Sequence, residues 1–337
     1  MWKNKLKNKW ISCFLLVCVL TPCTAFAASR ELIPLGVPVG VRMTADGVVI
    51  SAMTEIDSPA GKICPGKQAG LQAGDILQTA NGNVVSSSEE LANVVKNCDG
   101  KPIKLKGLRE NTAISVTVQP VQSKTNGTYQ IGILVRDSMA GIGTMTYVDP
   151  KTNAFGALGH PISDIDSGAL LPLHTGSIVP ANVIGIVAGE PGTPGELIGR
   201  YEFSREIGQL ENNTTCGIFG TLTDATLYDV KNVIEIVPEK EVKPGNAEIL
   251  TCVQGDTPKK YDIMIEKVNH NAKDGRSMKI RVTDEKLLQK TGGIVPGMSG
   301  SPIIQDGKLV GAVTHVLVND PTKGYGIFIE NMLGAAA

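Results

Sequence analysis

Gly297-Met298-Ser299-Gly300-Ser301-Pro302 sets one serine among small residues, and each neighbour has a physical consequence. A hydroxyl attacks a carbonyl only when it stands clear of its own backbone and a base takes its proton. The oxyanion that forms must then meet backbone N–H groups already in place. Gly297 can turn its N–H toward that oxygen, because glycine reaches backbone angles that a Cβ forbids. The N–H of Ser299 is the second donor of such an oxyanion hole, and Gly300 lets chain and substrate approach closely. An ordinary Gly/Ser turn has the same composition, so the surroundings must decide.

Downstream, Pro302-Ile303-Ile304 reads as a strand, Gln305 to Lys308 as a tight turn and Leu309 to Val313 as a second strand. Asp306-Gly307 between two apolar runs is a strong hairpin signal. A Gly-x-Ser-Gly-Ser-Pro stretch followed by such a hairpin resembles the nucleophile region of trypsin-like serine proteases. That resemblance implies that Thr314, His315 and Val316 line the substrate cleft.

The serine needs a base, and the chain has four histidines. Gly143 to Val148, the turn Asp149 to Asn153, and Ala154 to Leu158 read as a hairpin, and His160 stands where it ends. A histidine after an early hairpin and well before the serine has the trypsin-like chain order, so His160 is the expected base. His174, among Pro and Gly, reads as structural. His270, in Asn269-His270-Asn271, reads as a turn residue. His315 follows the serine and reads as a cleft residue.

Three segments together resemble the SpoIVB peptidase family of endospore-forming Firmicutes. They are Gly156 to Ile162, Thr291 to Pro302, and Gly311 to Gly326. The resemblance implies a PDZ-containing regulatory serine endopeptidase that passes a signal between mother cell and forespore. Its implied place is the space between the two membranes around the forespore. Its implied protein partner is the regulatory complex of a membrane-embedded metalloprotease, which matures a late mother-cell sigma factor; self-processing is also implied.

A third catalytic group orients the imidazole and stabilises its protonated form. The family pattern points to Asp284 in Arg281-Val282-Thr283-Asp284-Glu285, giving the order His160, Asp284, Ser299. The interval from Asp284 to Ser299 is short for a trypsin-like enzyme. Asp164 and Asp166 are rivals by proximity to His160, and Asp284 is also a natural cap for a helix through Leu287 and Leu288.

The region from Leu32 to Val121 has another character. Gly66 to Leu77 contains Ala69-Gly70-Leu71-Gln72-Ala73-Gly74-Asp75-Ile76-Leu77, which resembles the Ala-Gly-Leu-x-x-Gly-Asp core of PDZ domains. Val37 to Met43 and Val48 to Met53 read as strands, and Ser88 to Val95 reads as a helix with a Ser cap and early Glu89 and Glu90. Ile103 to Leu108 and Ala113 to Val118 supply closing strands. Such domains bind a peptide tail as an added strand between a sheet edge and a helix. The expected groove here is Val39, Gly40 and Val41, although Pro38 removes one backbone donor. Gln122 to Thr128 reads as a linker.

Lys3, Lys5, Lys7 and Lys9, an apolar run from Ile11 to Leu20, and Ala25-Phe26-Ala27 read as an export leader, cleaved or retained as a membrane anchor. A net charge of −1 gives no support for nucleic acid as a partner. Three of the seven cysteines lie in the leader. Cys64, Cys98, Cys216 and Cys252 remain, and the sequence does not choose among their pairings. No spacing suggests a metal site, and no cofactor is expected. The expected fold is mainly β: a leader over 1–27, a PDZ domain over 32–121, and a double β-barrel peptidase over 129–337. The loop Gly189 to Gly199 reads as an exposed connection without a chemical role. Two other functions stay open: a general quality-control protease of the HtrA kind, and a PDZ adaptor with an inactive protease domain.

Overall fold

The computed structural model describes residues 30–336 apart from 111, 165, 273 and 274; the leader read in residues 1–27 lies outside them. Near the C-terminus, six strands pair in order into a closed barrel: Gly245–Thr251, Lys259–Val268, Met278–Val282, Lys323–Phe328, Lys308–Val316 and Pro302–Gln305. Their alternate residues bury Ile249, Ile263, Ile280, Ile303, Val313 and Phe328 in one core, as period-2 patterning requires. The hairpin expected at Asp306-Gly307 is present, with Gln305 paired to Lys308. Asp306 has φ 51° and Gly307 φ 77°, the left-handed pair that a tight two-residue turn needs.

A second ring of strands closes upstream. Strand Pro38–Met53 pairs with Ile133–Val148 on one side and with Leu173–Val187 on the other. The circuit then runs from Ile133–Val148 through Ala154–Ala157, Gly217–Leu222 and Gly208–Thr214 back to Leu173–Val187. Val39, Val41, Met43, Phe155, Ile178 and Ile218 fill it. The molecule is therefore mainly β, with two barrels.

The PDZ-like part grows out of the first barrel. Strand Pro38–Met53 continues past a bulge, so that Val48 and Val49 pair with Leu77 and Ile76 of the next sheet. Strand Ile133–Val148 returns beside it along nearly its whole length. The intervening sequence supplies Ile76–Ala80, Ile103–Arg109 and Thr112–Val118, which extend the sheet in that order from Pro38–Met53, with helix Ser88–Lys96 packed over a core of Val48, Ile50, Leu77, Leu91, Val95 and Ile103. Ser87 caps that helix by accepting from Glu90 N at 3.1 Å, and the Glu90 carboxylate accepts from Ser86 N at 2.8 Å, a capping box. The Gly74-Asp75 turn buries Asp75 completely and pairs it with Arg109 at 2.6 and 2.7 Å. A buried charge of this kind requires such a partner.

This arrangement corrects two expectations. Val39, Gly40 and Val41 do form a strand, but both its edges are taken: they pair with Gly143, Ile142 and Gly141 on one side, and with Pro180, Val179 and Ile178 on the other. No peptide can add there. The boundary expected at Gln122 to Thr128 is also different. Those residues make the turn of a small hairpin, Val121–Gln122 with Tyr129–Gln130, and the strand that follows belongs to both parts. A PDZ segment of 32–121 followed by a peptidase of 129–337 thus becomes a module inserted between two strands of the first barrel.

One mutational consequence is direct. A Cβ on Gly40 would lie 2.6 Å from Tyr201 Cδ1 and 2.7 Å from Val179 Cγ2. Gly40→Glu is expected to destabilise the barrel by about 3 kcal/mol or more, through overpacking and a buried carboxylate. Chemical denaturation checks this; an unchanged unfolding midpoint contradicts the placement.

Candidate active site

The loop carrying Ser299 is pinned from the first barrel. Thr144 Oγ1 donates to Gly297 O at 2.8 Å, and Thr144 N donates to Ser299 O at 3.0 Å. Buried Thr146 donates to Gly300 O at 2.7 Å. With their carbonyls held, the N–H groups of Gly297 and Ser299 have no acceptor among the described residues. That is the state an oxyanion hole requires before substrate arrives. Gly297 has φ 100° and Gly300 φ 96°. At Gly300 a Cβ would sit 2.0 Å from Thr144 O, so this close approach demands glycine.

Ser299 Oγ donates to Thr314 O at 2.7 Å. His160 places Nδ1 2.8 Å from Pro161 O. A carbonyl only accepts, so the proton sits on Nδ1 and Nε2 keeps its lone pair. Burial holds the His160 pKa below its usual value, while the Pro161 carbonyl pulls weakly the other way. The imidazole is therefore neutral at neutral pH, as a general base must be. His160 and Ser299 line one cavity of about 720 Å³ with Gly297, Thr314, His315 and Val316. The His160 and His315 rings lie 5.2 Å apart. Ile294, Val295, Pro296 and Val318 make much of the remaining wall apolar.

Asp284 does not line this cavity. Its Oδ1 accepts from Leu287 N at 2.9 Å and caps helix Glu285–Thr291, which ends on Gly292 at φ 70°. The position next to His160 Nδ1 is held by a backbone carbonyl instead. Because asparagine caps about as well as aspartate, Asp284→Asn is expected to keep near-wild-type turnover, whereas Asp284→Ala costs about 1 kcal/mol of stability. A peptide assay with parallel denaturation curves measures both. A collapse of turnover in a folded Asp284→Asn protein contradicts the capping role.

Asp164 and Asp166 act on the loop that follows His160. Asp164 is buried and lines the cavity, and its Oδ1 accepts from Ser167 N and Oγ, both at 2.8 Å. Arg136 reaches Asp164 at 3.5 Å and Asp166 at 2.7 Å. Asn213 holds the same loop, accepting from Ile162 N and donating to Ile162 O and Leu171 O, at 2.8 to 2.9 Å. Nothing local in the sequence marks Thr144, Arg136 or Asn213, since each acts across a long sequence separation. The loop at Gly189 to Gly199 also has a use: Pro194 lines the cavity, and Leu197 N donates to Pro296 O at 2.9 Å.

Of the other histidines, His174 is exposed near Asp46 and His270 stacks on Phe328. Cys64, Cys98, Cys216 and Cys252 are free thiols. Among the described residues no cluster of His, Cys, Asp or Glu could hold a metal ion, and no helix is long and apolar enough to cross a membrane.

The model of the SpoIVB peptidase S55 family matches residues 127–333, more than half of the chain. Among solved structures, the active form of the Rv3671c protease from M. tuberculosis is 13% identical, with 75% of this chain and 88% of that one covered and a TM-score of 0.32. The HtrA-type protease AlgW with a decapeptide is 12% identical, over 58% of this chain and 51% of that one, at a TM-score of 0.31. A PDZ domain of the SdrC-like protein from Listeria monocytogenes is 22% identical, over 27% of this chain and 90% of that one, at a TM-score of 0.22. With Ser299, its held loop and a neutral His160 at one cavity, and with the family match spanning the segments that carry both residues, the chain belongs to the SpoIVB peptidase S55 family and is a serine endopeptidase.

Proposed function

We propose that this endopeptidase is a regulatory protease of sporulation, exported to the space between the mother-cell and forespore membranes. Its substrate there is a membrane-associated regulator of the metalloprotease that matures a late mother-cell sigma factor, and it also processes itself. The family membership supports this reading, and the observation that carries the chemistry is that Ser299 and a neutral His160 line one largely apolar cavity.

In the reaction, Ser299 leaves Thr314 O and turns its proton toward His160 Nε2. The alkoxide attacks the scissile carbonyl, and the oxyanion is received by the N–H groups of Gly297 and Ser299. The imidazolium formed keeps its Nδ1–H on Pro161 O and then passes the Nε2 proton to the leaving amine, as in serine–histidine catalysis generally. Apolar walls at Ile294, Val295 and Val316 favour an apolar side chain before the cut. A peptide-library cleavage profile tests that preference, and a charged preference contradicts it. In a sporulating host, replacement of the gene by its Ser299→Ala form is expected to block sigma-factor maturation. Normal maturation in that strain refutes the regulatory role.

A further inference from the structure

A single carboxylate stands in the wall of the catalytic cavity. Among the described residues that line it, none is Lys, Arg or Glu, and Asp164 is the only acidic one. The other titratable groups there are His160 and His315. Asp164 is 1% exposed. Its Oδ1 is committed to Ser167 N and Oγ, whereas its buried Oδ2 has no hydrogen-bond partner among the described residues. An ionised carboxylate offers about four acceptor positions, and a buried charge needs partners in good geometry.

Arg136 answers that need only in part. Its Nη1 lies 3.5 Å from Asp164 Oδ2, beyond the length of a good charge-assisted hydrogen bond, and its Nη2 is committed to Asp166 at 2.7 Å. Arg136 does not line the cavity, so this loose cation approaches from outside it. The loop that carries Asp164 is also set in advance. Ser163 bridges to Leu170, Asp164 N donates to Ala169 O at 2.8 Å, and Gly168 N donates to Asp164 O at 2.7 Å. Asn213 ties the same loop to the barrel through Ile162 and Leu171. An acceptor arranged beforehand needs little ordering when a ligand arrives.

We infer that Asp164 is a specificity residue, whose Oδ2 receives the ammonium or guanidinium of a lysine or arginine at one of the first two positions after the scissile bond. The inference rests on the endopeptidase reading above. The side of the cut follows from the chemistry. The scissile carbonyl oxygen goes to the N–H groups of Gly297 and Ser299, and the leaving amine must meet His160 Nε2. The loop that follows His160 therefore borders the departing part of the chain, whereas Ile294, Val295 and Val316 border the part before the cut. Apolar surroundings strengthen the attraction between opposite charges, and a neutral donor brings the hydrogen bond without that attraction. One cavity then reads two positions by different chemistry: an apolar side chain before the bond and a cation after it.

The test uses the full chain and peptides with an apolar residue before the intended cut, differing only in Lys, Nε-acetyllysine or norleucine at each of the two positions after it. At one of those positions kcat/KM for Lys is expected to exceed that for norleucine by at least about tenfold, the scale of one hydrogen bond between charged groups. Acetyllysine, which keeps the length but loses the charge, is expected to behave like norleucine. Asp164→Asn keeps an oxygen for Ser167 and removes the charge, and the ratio of Lys to norleucine is expected to fall close to one. A purely structural role for Asp164 lowers every peptide alike and leaves that ratio unchanged, which overturns the subsite. A wild-type ratio near one at both positions overturns it too, and needs no variant to fold. Titration of the same peptides into Ser299→Ala protein reads the subsite without turnover. If wild-type protein cuts none of the peptides, the endopeptidase reading fails instead, and the ratio of Lys to norleucine affinities then decides the subsite.

Discussion

Ser299→Ala is expected to abolish cleavage of peptides and of the protein itself, with a loss on the order of a million-fold, the scale seen when a triad serine is removed from subtilisin. The fold should survive. Ser299 is partly exposed, and its hydroxyl makes one hydrogen bond, to Thr314 O, whose loss costs about 1 kcal/mol. The loop itself is held through backbone carbonyls by Thr144 and Thr146, and those contacts do not involve the hydroxyl. Wild-type turnover with purified Ser299→Ala protein contradicts the account; an unchanged circular dichroism spectrum and melting midpoint accompany the expected loss.

His160→Ala is expected to cost a similar amount, because serine and base act as a unit and removing either removes the function. The pH profile gives a second readout. Burial lowers the His160 pKa, so the base is already neutral at pH 7, and activity is lost only as pH falls through the lowered value. The acid limb of kcat/KM should therefore lie below the ordinary histidine value of about 6.5. Stability follows the same sign: protonation is penalised in the folded state, so the wild type loses stability as pH drops from about 6.5 toward the folded pKa. His160→Ala should lack that part of the loss. An acid limb above the ordinary value contradicts a buried, neutral imidazole.

What could be read from the sequence was local. Gly297 to Pro302, the Asp306-Gly307 turn and the hairpin before His160 each carry their signal within a few residues, and the structure has them all. The insertion of the PDZ-like part was not legible. Val39, Gly40 and Val41 alternate and branch like any strand, and nothing in those residues says whether an edge stays open. Pairing partners are long-range, and strand Ile133–Val148 claims one edge while Leu173–Val187 claims the other. The partner of His160 Nδ1 was hidden for a different reason. It is a backbone carbonyl, that of Pro161, and any residue type carries one. Asp284 matched the family pattern and the helix-start signal equally well, and the structure shows it in the cap.

In this structure Ser299 Oγ faces Thr314 O and makes no hydrogen bond to His160. A resting enzyme releases that bond when substrate turns the hydroxyl, whereas an inactive adaptor would keep it. A fluorophosphonate separates them, because it reacts covalently with a serine hydroxyl only where a base and an oxyanion hole activate it. The decisive measurement is mass-spectrometric mapping of the adduct on wild-type, Ser299→Ala and His160→Ala proteins. A single adduct on Ser299, absent from both variants, is the predicted result. An unlabelled wild-type protein, or an adduct on another serine that persists in Ser299→Ala, contradicts the assignment of Ser299 and His160 as nucleophile and base.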